Sequence, residues 1–140
     1  MKTIWKHIFL NYKDLAVLGI SGALIGAIVG VLEAFFGRIL QECTWVRAEH
    51  LYLLAPFLPL AGVLIVTLYR RLGKKASQGM KLVFRVGLGD DRGLPARMIP
   101  LAMASTWLTH LCGGSAGREG VAIQIGAAVS DNIDRIVKRK

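Results

Sequence analysis

The stretch Gly113-Gly114-Ser115-Ala116-Gly117-Arg118-Glu119-Gly120-Val121-Ala122-Ile123-Gln124-Ile125-Gly126 decides the reading of this chain, because it sets a charged pair inside sequence that otherwise reads as membrane-embedded. An ionisable side chain at the bilayer centre costs at least ~2.5–3.5 kcal/mol on insertion scales, so Arg118 and Glu119 are not expected to face lipid. They are expected to line a polar site. Residues 120–130 then give eleven uncharged positions before Asp131. At helical rise these cover roughly half a bilayer, which predicts a half-helix beginning inside the membrane. Such a start presents free backbone N–H groups and the positive end of the helix dipole, a ready site for an anion. Gly117 and Gly120 let the backbone pass close to a ligand. The Glu119 carboxylate can itself occupy the anion's place, and protonation would remove its attraction to the amides. Anion entry and proton uptake then become alternatives at one point.

The rest of the chain supports a membrane setting. Its 140 residues are 54% hydrophobic with a mean hydropathy of +0.49 and 16 glycines, too apolar and glycine-rich for an ordinary soluble domain. Residues 15–32 and 51–69 are uncharged runs of 18 and 19 residues. Each is about long enough to cross a ~30 Å hydrocarbon core. The first exceeds the ~7–15 residues of a signal-peptide core and no small-x-small cleavage pattern follows it, so it is expected to be retained. Gly22, Gly26 and Gly30 give it one face with little bulk, suited to close helix packing. Pro56 and Pro59 fall in the first turns of the second, where a missing amide donor is tolerated. The net charge is +9. The basic residues gather at the ends of the spans: Lys2, Lys6 and Lys13 precede the first, and Arg70, Arg71, Lys74, Lys75, Lys81 and Arg85 follow the second. A hairpin over residues 33–49, with three acids against two arginines, is expected between them. The positive-inside rule then puts the N-terminus in the cytoplasm, and the pattern argues against a nucleic-acid partner. Trp5, Tyr12, Trp45, Tyr52 and Tyr69 fall near span ends as interfacial anchors. The basic tail Arg135, Lys138, Arg139 and Lys140 suits a helix C-terminus at the cytoplasmic face.

Residues 76–85 are too polar to span and too apolar for a plain loop, which predicts a short or re-entrant helix. A third apolar segment, residues 99–111, follows Pro95 and Pro100 and runs into the glycine-rich turn. Nucleotide binding is not supported. A P-loop needs Lys-Ser/Thr after its last glycine, and the glycines at 114, 117 and 120 do not match a dinucleotide fingerprint. Cys43 and Cys112 fit no metal or redox spacing, so no metal site and no cofactor is expected, and the chain does not read as an enzyme. Ser105, Thr106 and Thr109 are expected to bond to their own helix or a neighbour. His110 is expected to bond a carbonyl, with proton relay as the alternative. Arg118 is expected to bond carbonyls of neighbouring helices. On the residues alone, a tight interhelical turn in which Arg118 and Glu119 pair with neighbours stays open.

Gly117-Arg118-Glu119-Gly120 followed by Val121-Ala122-Ile123-Gln124-Ile125-Gly126 resembles the G-R-E-G-P-x-x-Q-x-G signature of the CLC chloride channel and transporter family, and residues 94–114 resemble that family's preceding helix. The resemblance implies an all-α polytopic membrane helical bundle, the N-terminal part of an inverted-repeat fold with re-entrant and half-helices. Residues 1–140 would form an incomplete N-terminal part of one transmembrane domain, about its first third, and would not be expected to transport alone. Glu119 takes the position of the family's gating, proton-linked glutamate.

Two departures bear on the anion. Where the family carries G-S-G-I-P this chain has Ser77-Gln78-Gly79-Met80-Lys81, so Met80 stands in the serine's position, and Val121 replaces the proline after G-R-E-G. Both resemble the fluoride-exporting branch of the family. The implied function is fluoride export coupled to proton exchange, with Gly79, Met80, Gly120 and Val121 along the anion path. A chloride channel, a chloride/proton antiporter, a non-transporting membrane subunit and a degenerate fragment are the alternatives, and Met80 as a gap-filling core residue also stays open. The implied partners are a small inorganic anion (fluoride or chloride), protons, the lipid bilayer of the cell membrane and, at full length, a second copy in a homodimer.

Overall fold

The computed structural model describes the backbone of residues 2–91 and 93–138, and the side chains of residues 12, 15–91 and 93–136. The side chains of Lys2, Trp5, Lys6, Lys13 and Lys138, with Arg139 and Lys140, lie outside the described set. Five α-helices follow one another: α1 (Lys2–Leu54), α2 (Leu58–Leu68), α3 (Met80–Gly87), α4 (Met98–Leu111) and α5 (Arg118–Lys138). A 3₁₀ turn, Ala55–Phe57, leads into α2, and a π turn, Tyr69–Gly73, and a 3₁₀ turn, Lys74–Gln78, lead out of it. Among the described residues there is no β-strand.

α1 departs from the expected span and hairpin. It runs for 53 residues, about 80 Å at helical rise, with non-helical angles inside it only at His50 (φ −124°, ψ 28°). The charges between Glu33 and Glu49 were expected to mark a loop. They sit instead among alanine, leucine, glutamine and arginine, all good helix formers, and no proline interrupts the run before Pro56. The prolines do open the next segment as expected, with one in the first turn of the 3₁₀ piece and one in the first turn of α2.

One continuous helical stretch, Leu15–Gly87, is long and apolar enough to cross a membrane, and none of its most apolar window is buried within the chain. Leu15, Leu18 and Ile20 stand exposed there. At Gly22, Gly26 and Gly30 no atom lies within 4 Å of where a Cβ would be, so the small-residue face is uncovered by the rest of the chain.

The core lies where α1, α4 and α5 meet. Phe36 and Leu40 of α1 pack with Ala102 and Met103 of α4 and with Val121, Ile125 and Val129 of α5. Trp107 fixes α4 to α1: its ring stacks on Phe36 at 5.9 Å between centroids, and its indole N–H donates to the Phe36 carbonyl at 3.0 Å. Satisfying the indole donor inside an apolar contact makes the ring a directional anchor as well as buried area. A second cluster gathers Leu82 of α3, Leu94, Met98 and Leu101, and Ala128 of α5.

The connection between α3 and α4 is held by α5. Asp131 accepts from the Leu94 amide at 2.8 Å, and the Asn132 side chain donates to the Leu94 carbonyl at 3.1 Å and to Ala128 O at 2.7 Å. These polar residues explain why α5 runs for 21 residues and does not stop at Ser130 as a half-helix. Asp131 was expected to mark its end and serves instead to clamp the preceding connection.

Candidate functional site

The site is built where one helix stops and the next begins. α4 ends on a glycine cap: Gly113, at φ +89°, donates to His110 O at 3.1 Å, and Gly114 donates to Thr109 O at 2.9 Å. This is the paired-bond geometry that closes a helix on a left-handed residue, and it requires glycine at 113. Residues 114–117 then carry the chain to Arg118, where α5 begins. Glu119 is the acidic residue of the first turn of α5. The amides of residues 118–120 have no carbonyl within their own helix to bond, as at any helix start, whereas the Val121 amide closes the first helical turn on the Gly117 carbonyl.

Glu119 is exposed, and among the described residues no hydrogen bond or ion pair holds its carboxylate. The interhelical-turn alternative required Arg118 and Glu119 to pair with neighbours, and among the described residues neither does. A Cβ at Gly120 would meet nothing within 4 Å, so the backbone behind Glu119 is open to approach. Val121 turns its side chain into the core, 6% exposed.

Gly79 and Met80 form the start of α3. Gly79 has φ +55° and ψ −132°, angles essentially confined to glycine, and they turn the chain out of the Lys74–Gln78 piece into α3 at Met80. A Cβ at Gly79 would lie 3.9 Å from Gln124 Nε2. Gln124 sits five residues beyond Glu119, about 7.5 Å along α5. The start of α3 is thus brought against α5 at Gln124, more than one turn beyond Glu119 and about 140° around the helix from it. Met80 is half-buried. The sequence motif contained Gln124 but gave no reason to single it out, because its significance depends on α3 docking against it.

On the far side of α3, Asp91 accepts from Lys75 Nζ at 2.7 Å and pairs with Arg85 at 3.5 Å, while Arg85 also donates to Gln78 Oε1 at 3.1 Å. Arg85 is therefore engaged in bracing the segment that ends at Gly79. Ser105 and Thr109 bond back to Leu101 O and Ser105 O of their own helix, each at 2.7 Å, as the sequence led us to expect. His110 Nδ1 lies 3.0 Å from Thr106 O. Among the described residues no carbonyl bonds Arg118; its guanidinium lies over Gly37 of α1.

A family model described as voltage-gated chloride channel matches residues 61–140, more than half of the chain. The chain belongs to the voltage-gated chloride channel family. It is similar to a protein named chloride/fluoride channel protein from Pseudomonas syringae pv. tomato (strain ATCC BAA-871 / DC3000), 31% identical over 121 residues that make up 86% of this chain and 26% of that one. It is also similar to the crystal structure of a CLC-type fluoride/proton antiporter, with 42% identity and a TM-score of 0.86 over 91% of this chain and 32% of that one. The chain thus spans about a third or less of the length of these family members and fits the N-terminal portion of the family's fold.

Proposed function

We propose that residues 1–140 are the N-terminal part of the transmembrane domain of a fluoride transporter that exchanges fluoride against protons, with Glu119 as its proton-linked gate. The observation that carries the reading is the unpartnered Glu119 carboxylate in the first turn of α5, over amides that have no acceptor within their helix. An anionic group at a helix start gains about 0.3–1 kcal/mol, and up to ~2 kcal/mol where partly buried. A carboxylate and an incoming anion compete for that same gain. Protonation removes the carboxylate's share, so it releases the amides of Glu119 and Gly120 to the anion, beside Val121. Loss of the proton brings it back, and one carboxyl links the two fluxes.

Fluoride in preference to chloride rests on Met80 in the serine's place, on Val121 in the proline's place, and on 42% identity to a fluoride/proton antiporter. Gly79 and Met80, beside Gln124, would meet the anion further along its path. The reading places the chain in the cell membrane with its N-terminus cytoplasmic and, in the whole protein, as one half of a homodimer. The test is efflux from liposomes bearing the transporter that contains this chain, loaded with fluoride or chloride and read with ion-selective electrodes and an internal pH dye. Fluoride efflux with opposite proton movement supports the reading; chloride efflux of equal rate, or fluoride efflux without proton movement, contradicts it.

A further inference from the structure

α3 is eight residues long, too short to be stable by itself, and Leu82 alone within it is buried, packed with Leu94, Met98 and Ala128. One buried anchor fixes the place of such a helix more firmly than its tilt. Both ends of α3 are turned by glycines at positive φ: Gly79 (φ +55°) before it and Gly89 (φ +83°) after it. At the second end the Gly89 amide donates to Val86 O at 3.1 Å and the Asp90 amide to Arg85 O at 2.8 Å, paired bonds that close the helix and turn the chain back.

That turn delivers Asp91 to the segment that precedes α3. Its side chain is 9% exposed and holds Lys75 Nζ at 2.7 Å on one oxygen and Arg85 Nη2 at 3.5 Å on the other. Arg85 in turn donates to Gln78 Oε1 at 3.1 Å. One carboxylate therefore ties the turn before Gly79 to the helix after it, at Lys75 directly and at Gln78 through Arg85. Backbone strain marks the same segment. Lys74 has φ 46° and ψ −116°, a conformation costly for a residue with a side chain, which persists only where the surroundings hold it. The holding contacts lie on either side: Ser77 Oγ donates to the Lys74 carbonyl at 2.7 Å, Lys75 pairs with Asp91, and Arg97 donates to Leu72 O at 3.2 Å.

We propose that Asp91 is a positioning residue for the anion path. By holding Lys75 and Arg85 it sets the tilt of α3 about Leu82, and with it the place of the Gly79 backbone and of Met80, on which the choice between anions depends. The inference rests on the reading above that Gly79 and Met80 meet the anion. Asp91 acts through the backbone it holds and not by contact with the anion, whose sign of charge it shares.

The full-length protein that contains this chain is reconstituted in liposomes as wild type, Asp91→Asn and Asp91→Glu, and fluoride and chloride efflux are followed by ion-selective electrode over a range of internal concentrations. Asp91→Asn keeps the shape and removes the charge that holds both cations. It is expected to change the fluoride-to-chloride rate ratio about ten-fold, through a higher KM for the preferred ion, the size of one lost charge-assisted contact. Asp91→Glu keeps the charge and should return the ratio most of the way. A purely structural role would lower the maximal rate for both ions together and leave KM and the ratio as they were; that result, or Asp91→Glu behaving as Asp91→Asn does, overturns the proposal. Amide exchange on the same preparations reads the brace without flux: α3 should exchange faster in Asp91→Asn, with α4 at the wild-type rate. Equal protection of α3 in the two proteins, or loss of protection in α4 as well, overturns it. The ratio is read whichever ion the wild type prefers, so a wild type that prefers chloride or moves no protons defeats the fluoride/proton reading and still leaves the brace to be judged by the change in ratio and by exchange.

Discussion

Glu33 and Glu119 are both carboxylic residues on apolar helices, and their surroundings set them apart. Glu119 stands exposed at a helix start, whereas Glu33 has its Oε1 buried in the middle of α1 with no hydrogen-bond partner. A buried polar atom without a partner carries its full desolvation cost, about 1–3 kcal/mol. Glu33→Leu is therefore expected to stabilise the folded chain by about that amount, read as a higher unfolding midpoint in detergent. A lower midpoint would mean that the carboxyl has a partner in solution. Met80 is the other residue whose role can be isolated by one exchange. In the transporter containing this chain, Met80→Ser is expected to move the anion preference from fluoride toward chloride in ion-selective electrode recordings. An unchanged preference would leave Met80 as a packing residue.

At the scale of elements, the functional geometry depends on two junctions that hold helix starts in place. Gly79 sets the first, and forcing a side chain onto its positive φ costs about 1–3 kcal/mol. Gly79→Ala is expected to lower stability by that amount and to speed amide exchange across α3 (Met80–Gly87); unchanged exchange would contradict the junction's role. The second is the clamp of Asp131 and Asn132 on Leu94. Asn132→Ala leaves the Leu94 carbonyl without its donor, so faster exchange is expected at residues 93–97, with α1 unaffected. Equal protection in both chains would show that the clamp does not hold the connection.

These junctions also mark the limit of what the sequence makes legible. A short helix between Gly73 and Gly93, the apolar helix ending at the glycine-rich turn and the helix start at the charged pair all follow from apolar runs and glycine placement, but the short helix was expected over residues 76–85 and begins only at Met80, because Gly79 breaks it. The continuous helix through residues 33–49 did not follow, because charge density was read as a hairpin although its glutamates, arginines, alanines, Leu40 and Gln41 favour a helix. The clamp did not either. A polar pair such as Asp131 and Asn132 ends an apolar run in sequence, and only docking of the preceding connection shows that it binds a backbone 37 residues away.

At the scale of the whole molecule, the described residues gather into two buried clusters, one where α1, α4 and α5 meet and one between α3, α4 and α5, and leave a long apolar surface on α1 uncovered. The family and the helical class were legible in Gly117-Arg118-Glu119-Gly120 and the residues after it, because the backbone demands of a helix start and the charge of its first turn are written locally. The approach of α3 to α5 at Gln124 was not, since it joins residues 45 positions apart. The proposal that one carboxyl, Glu119, couples anion to proton is tested by measuring fluoride and proton flux together in liposomes bearing the full-length protein, as wild type and as Glu119→Gln. Opposed fluoride and proton movement is expected in the wild type, and no proton movement driven by fluoride in the variant. Proton-coupled fluoride exchange that persists in Glu119→Gln would contradict it.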